Sequence, residues 1–260
     1  MQLIEKESVS TTPSKSRVRT FRAIARIMAV SAVAFGVFTA LFGIVSEAQS
    51  IHAFHNVVVA ALLLVLSAPP AIAAARAPER ALAQLLHLSA LGAAGLATMA
   101  LSVTIDIYTL PFVVLVGVLL LLRVPRGPAL GVGRPSVALG ILVTAAAVPL
   151  VAYALGQAEL QRIDTSSNHA ELNHWVEMSF FAVAVILLGA LAALRPTTFR
   201  MPAWSAGIAL AVMGGASLAL EEYASALGTS GAWAALVGGV LFIFLTEWEV
   251  RQAQHRARRP

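Results

Sequence analysis

Cysteine is absent. That absence removes disulfides, thiolate metal sites, iron–sulfur clusters, c-type haem attachment and CxxC redox chemistry together. Lysine is nearly absent, since Lys6 and Lys15 are the only two and both precede the first long apolar run. No lysine is therefore placed for a Schiff base inside an apolar region, or for a phosphate-cradling GK[ST] loop. Charge is scarce at 12% of residues, against 58% hydrophobic residues and a mean hydropathy of +0.82. A water-soluble domain cannot hide that much apolar surface, because its own exterior must be wetted. A Ser/His/Asp triad pattern, an HExxH run and a dioxygenase histidine box are also missing.

What the chain does have is long apolar runs. A membrane span needs about 20 mostly apolar residues. Eight runs qualify, at roughly 25–46, 53–75, 82–104, 107–122, 136–156, 173–194, 203–221 and 231–248, the fourth being short with Pro111 near its start. Arginine placement supports eight crossings. With the N-terminus inside, 17 of 18 basic residues fall on one side and only Arg162 falls outside, as the positive-inside rule requires. Trp175 and Trp233 then mark outer interfaces, and Trp204 and Trp248 inner ones. The net charge of +5 is thus a topology charge that also suits anionic lipid, and no nucleic-acid partner is implied. The first run exceeds a signal-peptide core and reads as a retained span. Sixteen arginines against two lysines, with abundant alanine, fit a GC-rich bacterial genome and a bacterial plasma membrane.

Residues 1–24 read as a disordered basic cytoplasmic tail, 123–135 as a cytoplasmic Gly/Pro linker, and 251–260 as a second basic cytoplasmic tail. The linker separates two four-helix halves, 25–122 and 136–250. A constant shift of 119 residues carries His55 to His174, Arg76 to Arg195, and His52-x-x-His55 onto Glu171-x-x-His174. Asp106-Ile-Tyr108 matches Glu221-Glu-Tyr223 after a four-residue adjustment. The fold expected is an all-α integral membrane protein of eight transmembrane helices, in two parallel four-helix halves, with both termini cytoplasmic.

Ionisable groups in a membrane are costly and mark function by default. His52, His55, Asp106, His169, Glu171, His174, Glu177, Glu221 and Glu222 all map to the outer loops or the first outer turns. His52 and His55, Glu171 and His174, and His174 and Glu177 are each spaced i,i+3, so each pair shares one helix face. Two helices each offering an x-x-His pair, with a carboxylate on each of two others, resemble in spacing the ligand arrangement of di-iron carboxylate bundles, although the chain lacks two Glu-x-x-His motifs. The expected metal ligands are His52, His55, Asp106, Glu171, His174 and Glu222. His55 and His174 face each other across the pseudo-two-fold and can hold a shared cofactor. Iron, zinc, copper or haem b are the groups considered. Glu177 and Glu221 are the expected acid–base residues, and Glu221 and Glu222 sit at a helix C-terminus where negative charge wants an opposing cation. The bland readings are interfacial histidines, helix caps, and loop roles for His169 and Glu171. His87 reads as a packing residue, Pro69-Pro70 as a kink or an end, and Gly214-Gly215 and Gly238-Gly239 as close helix contacts.

Eight spans in two four-helix halves with outer-face histidines resemble the architecture of haem A synthases. Spans four and eight carry no histidine, however, and no Glu-x-x-His-Arg run follows span one, so that activity is not carried over. The function expected is a metal- or haem-binding membrane protein with a redox or hydrolytic site at the outer face. The alternatives are a proton-coupled transporter and a metal-free acid/base enzyme on a lipidic substrate. Partners implied are the lipid bilayer, a lipidic or small-molecule ligand at the outer face, and a further membrane-complex subunit.

Overall fold

In lipid no water bonds the backbone, so each apolar run must satisfy its own N–H and C=O groups as a helix. The computed structural model describes residues 13–45, 52–124, 134–164, 167–194 and 199–257, and these are helical with no strand among the described residues. The helices are α1 (Lys15–Val45), α2 (Ala53–Arg76), α3 (Leu82–Ser102), α4 (Thr109–Leu122), α5 (Val137–Ile163), α6 (His174–Ala193), α7 (Arg200–Ala219) and α8 (Gly228–Ala257). All but α4 are long and apolar enough to cross a membrane. The 14 residues of α4 span about 21 Å, against about 30 Å for the hydrocarbon core. Pro111 lies in its first turn, where no intrahelical N–H is required. Val124, just beyond α4, is buried in one cluster with Phe21, Ala75, Ala81 and Leu85. The chain after α4 has therefore returned to the end of the bundle where α2 finishes and α3 starts.

Helix α1 begins at Lys15 rather than at residue 25, because Ser14 Oγ accepts the Arg17 N–H at 3.3 Å and Phe21 and Ala25 are buried. Residues 1–12 of the expected tail, 125–133 of the expected linker and 258–260 lie outside the described residues.

The interior is organised around α2 and α6, the most deeply buried long helices, while α1, α5 and α8 are the least buried. α1 packs on α2 and α5 on α6, α3 on α4 and α7 on α8, with α2 meeting α7 and α3 meeting α6 across the middle. At the α7–α8 contact a Cβ on Gly214 would stand 2.5 Å from Leu236 N, and one on Gly239 2.4 Å from Gly207 O. Backbone touches backbone there, and no larger residue fits. Gly215 and Gly238, expected to share this role, meet no such wall.

Pro69-Pro70 neither ends nor breaks α2. Residues Leu62–Ser67 widen into a π turn ahead of the prolines, and the helix continues to Arg76. The missing proline N–H groups free the carbonyls of Val65 and Leu66, one turn earlier. Ser205 Oγ of α7 donates to Val65 O at 3.1 Å, and His87 Nε2 of α3 lies 3.0 Å from Leu66 O. The two freed carbonyls are thus met by two neighbouring helices, which leaves His87 a packing role.

Candidate functional site

The start of α2 and the loop entering α6 meet at one end of the bundle, and their four histidines are packed together. His52 and His55 are 2% and 1% exposed. His174 opens α6, its ring centroid 4.8 Å from that of His52 and 5.0 Å from that of His55, the latter at an interplanar angle of 19°. This separation lies inside the roughly 10 Å that a shared site requires. His169 lies 4.6 Å from His52 and 4.8 Å from His55, centroid to centroid. One ring nitrogen each from His52, His55 and His169 form a group within 4.8 Å of one another.

His169 reaches the cluster through a built loop. Asp164, which ends α5, accepts the Ser167 N–H at 3.1 Å and the Trp175 indole N–H at 3.2 Å, and bonds the Ser167 hydroxyl. Gln161 Nε2 donates to Ala170 O at 3.0 Å. Asn173 adopts φ 59°, a left-handed conformation asparagine tolerates better than most residues. It turns the single helical turn Asn168–Glu171 into α6. His169 then lies over the Trp175 indole at 5.0 Å and 21°.

Hydrogen bonding assigns the proton on His55. Ser225 Oγ donates to Gln157 Oε1 at 2.9 Å, so toward His55 it can only accept. His55 Nε2, 3.1 Å from that oxygen, therefore carries the proton. Its Nδ1 is left as a bare lone pair, buried and without a partner. Tyr153 supports the arrangement by donating its hydroxyl to Ser225 O at 2.9 Å. His174 Nδ1 lies 3.0 Å from Glu177 Oε2, the carboxylate–imidazole pairing that turns the other ring nitrogen into a ligand. His52 Nδ1 is also buried and unpartnered. Burial, with His174 and His169 adding to it, holds the His52 imidazole down at about 4, so this ring is neutral at neutral pH. Buried polar atoms are nearly always bonded, and two unpartnered ring nitrogens in one cluster ask for an occupant.

The carboxylates are distributed otherwise than their spacing suggests. Asp106 is fully buried, and its two oxygens accept the N–H groups of Tyr108 and Thr109, both at 3.0 Å, at the start of α4. It lies close enough to Glu177 for their charges to interact. Glu171, Glu221 and Glu222 are exposed, and Glu221 accepts a hydrogen bond from the Thr229 hydroxyl. The structure thus gathers His52, His55, His174 and Glu177, places Asp106 near Glu177, and leaves the other three acids at the surface. It adds His169, which sequence reasoning treats as a loop residue, and Ser225 and Gln157, which it passes over.

Comparison of the chain with protein-family models, with curated proteins and with solved structures finds no match, so its own residues carry the functional reading.

Proposed function

We propose that this polytopic membrane protein binds one divalent transition-metal ion in its histidine cluster and uses it for hydrolytic chemistry at the outer membrane face. The observation that carries the reading is the set of three ligand nitrogens within 4.8 Å, on His52, His55 and His169. A tetrahedral zinc site with bonds of about 2.0–2.1 Å brings its nitrogens to roughly 3.4 Å apart, so modest ring rotations close the set. An imidazole set with carboxylates kept out of it suits zinc or copper better than iron. Haem b fits poorly. Axial ligation needs two imidazoles on opposite faces of a macrocycle, whereas His55 and His174 stack at 5.0 Å.

Three protein ligands leave a fourth position for water or substrate, as in catalytic zinc sites. The ion, when bound, polarises a carbonyl or phosphoryl oxygen and acidifies water beside it. His174, oriented by Glu177, borders that position and handles the proton, with Asp106 close to Glu177. The topology belongs to the same proposal: eight crossings, cytoplasmic termini, a bacterial plasma membrane and two parallel repeats. Its support is the one-sided arginine distribution, the matching helix pairings of the two halves, and His55 and His174 standing side by side.

Metal analysis of protein purified with zinc or copper supplementation tests the reading. The expected result is close to one ion per chain, lost in both His55→Ala and His169→Ala. Metal-free wild-type protein, or full retention in both variants, overturns it.

A further inference from the structure

We propose that a second element of the site is an intramembrane chamber that holds one linear hydrocarbon chain, with its polar head at the histidine cluster. This makes the substrate a single-chain amphiphile, and it rests on the metal reading for what happens to the head.

A cavity of about 540 Å³ lies among α5, α6, α7 and α8. Its volume is that of a ligand pocket rather than a packing defect. Alanine, glycine, leucine and valine make up most of its wall, and Tyr153 carries the only side-chain hydroxyl among the described residues lining it. That hydroxyl is already given to Ser225 O, so no side chain in the wall is left to bind a polar group along its length. One end is formed by Tyr153, Ala226, Leu227 and Gly231, and the other by Leu142 and Phe242. Gly231 and Phe242 lie on the same helix, and their separation in sequence corresponds to a chamber about 16 Å long. The near end is joined to the histidine cluster through Ser225. Ala226 follows Ser225, whose Oγ accepts a hydrogen bond from His55 Nε2, and Tyr153 holds the same serine by its carbonyl. A chain lying in the chamber thus brings its headgroup to Tyr153 and Ala226, beside the serine that His55 bonds, and no other polar side chain lies along the wall.

The test uses the full chain in phosphatidylcholine nanodiscs with two photoactivatable palmitic acids. One carries its diazirine beside the carboxyl group and the other carries it at the methyl end. The carboxyl-proximal probe is expected to crosslink to Tyr153 or residues 226–231, and the methyl-end probe to residues 142–146 or 238–242. Filling the chamber with Ala146→Phe or Ala235→Phe is expected to lower both signals about tenfold, with metal per chain unchanged. The positional order in unaltered protein needs no variant, so a folding defect does not blunt the test. Crosslinks from both probes confined to lipid-facing residues such as Phe35 and Phe38, equal in wild type and filled variants, overturn the chamber. Ordered crosslinks in a metal-free protein remove the metal reading and leave the chamber standing. A metal-loaded protein without them does the reverse.

Discussion

Where α7 begins and α8 finishes, charges meet their opposites. Arg200 Nε and Nη2 donate to Glu247 at 2.9 and 2.8 Å, and Trp204 Nε1 donates to the same carboxylate at 2.8 Å. Ser136 Oγ donates to Glu249 at 2.6 Å. At the opposite end of the bundle like is packed against like, with four imidazoles in mutual contact and two ring nitrogens buried without partners. The carboxylates at the first end have their partners. The second breaks the rule that buried polar atoms are paired, and sequences break that rule where function demands it. His87 sharpens the contrast. It is as buried as His55 and also has an unpartnered Nδ1, yet it stands alone and its Nε2 fills the gap left by Pro70.

The largest expected effect is at the cluster. Zinc at 100 times its Kd should stabilise the wild type by about 2.7 kcal/mol, read as a rise in unfolding temperature. His55→Ala should abolish that rise while the metal-free protein still folds. A zinc-induced rise that survives the substitution breaks the contrast between the two ends. Next comes the support around the ligands. Ser225→Ala releases the His55 tautomer and should weaken metal affinity about 10–100-fold in competition with a chelator. Unchanged affinity in this variant refutes the proton assignment.

His87→Leu leaves the Leu66 carbonyl unpaired in the middle of the bundle, which should cost about 1–3 kcal/mol. Metal content should stay at the wild-type level, because this histidine belongs to the fold and not to the site. A loss of metal without a loss of stability would put His87 in the wrong category. The smallest effect belongs to Arg200→Ala. The Arg200–Glu247 pair is largely exposed, so the loss should be below about 1 kcal/mol and shrink further with salt. Denaturation at two ionic strengths checks it.

Much of this was legible in the chain, and the exceptions have physical causes. The i,i+3 spacing of His52 and His55 depends on helix geometry alone, so it could be read before any contact was known. His169 could not be placed that way. It is five residues from His174, off the face that i,i+3 and i,i+4 neighbours share, and it reaches the cluster only because Asp164 pins the loop and Asn173 turns it. Ser225 is a neutral residue in a loop, and only its juxtaposition with His55 and Gln157 gives it a role. Asp106 and Glu171 looked alike as ligands by position, but one is consumed in starting α4 and the other faces outward. Long helices follow from hydropathy, while side-chain convergence between them follows from crossing geometry that no single helix encodes.

The most direct test of the proposed metal centre is X-ray absorption at the zinc edge of the purified, zinc-loaded protein. The expected spectrum has a first shell of three nitrogens and one oxygen at about 2.0–2.1 Å, with the outer-shell scattering of imidazole rings, and His169→Ala gives no such signal because it retains no zinc. A shell of oxygens alone, or a spectrum unchanged by loss of His169, would contradict it.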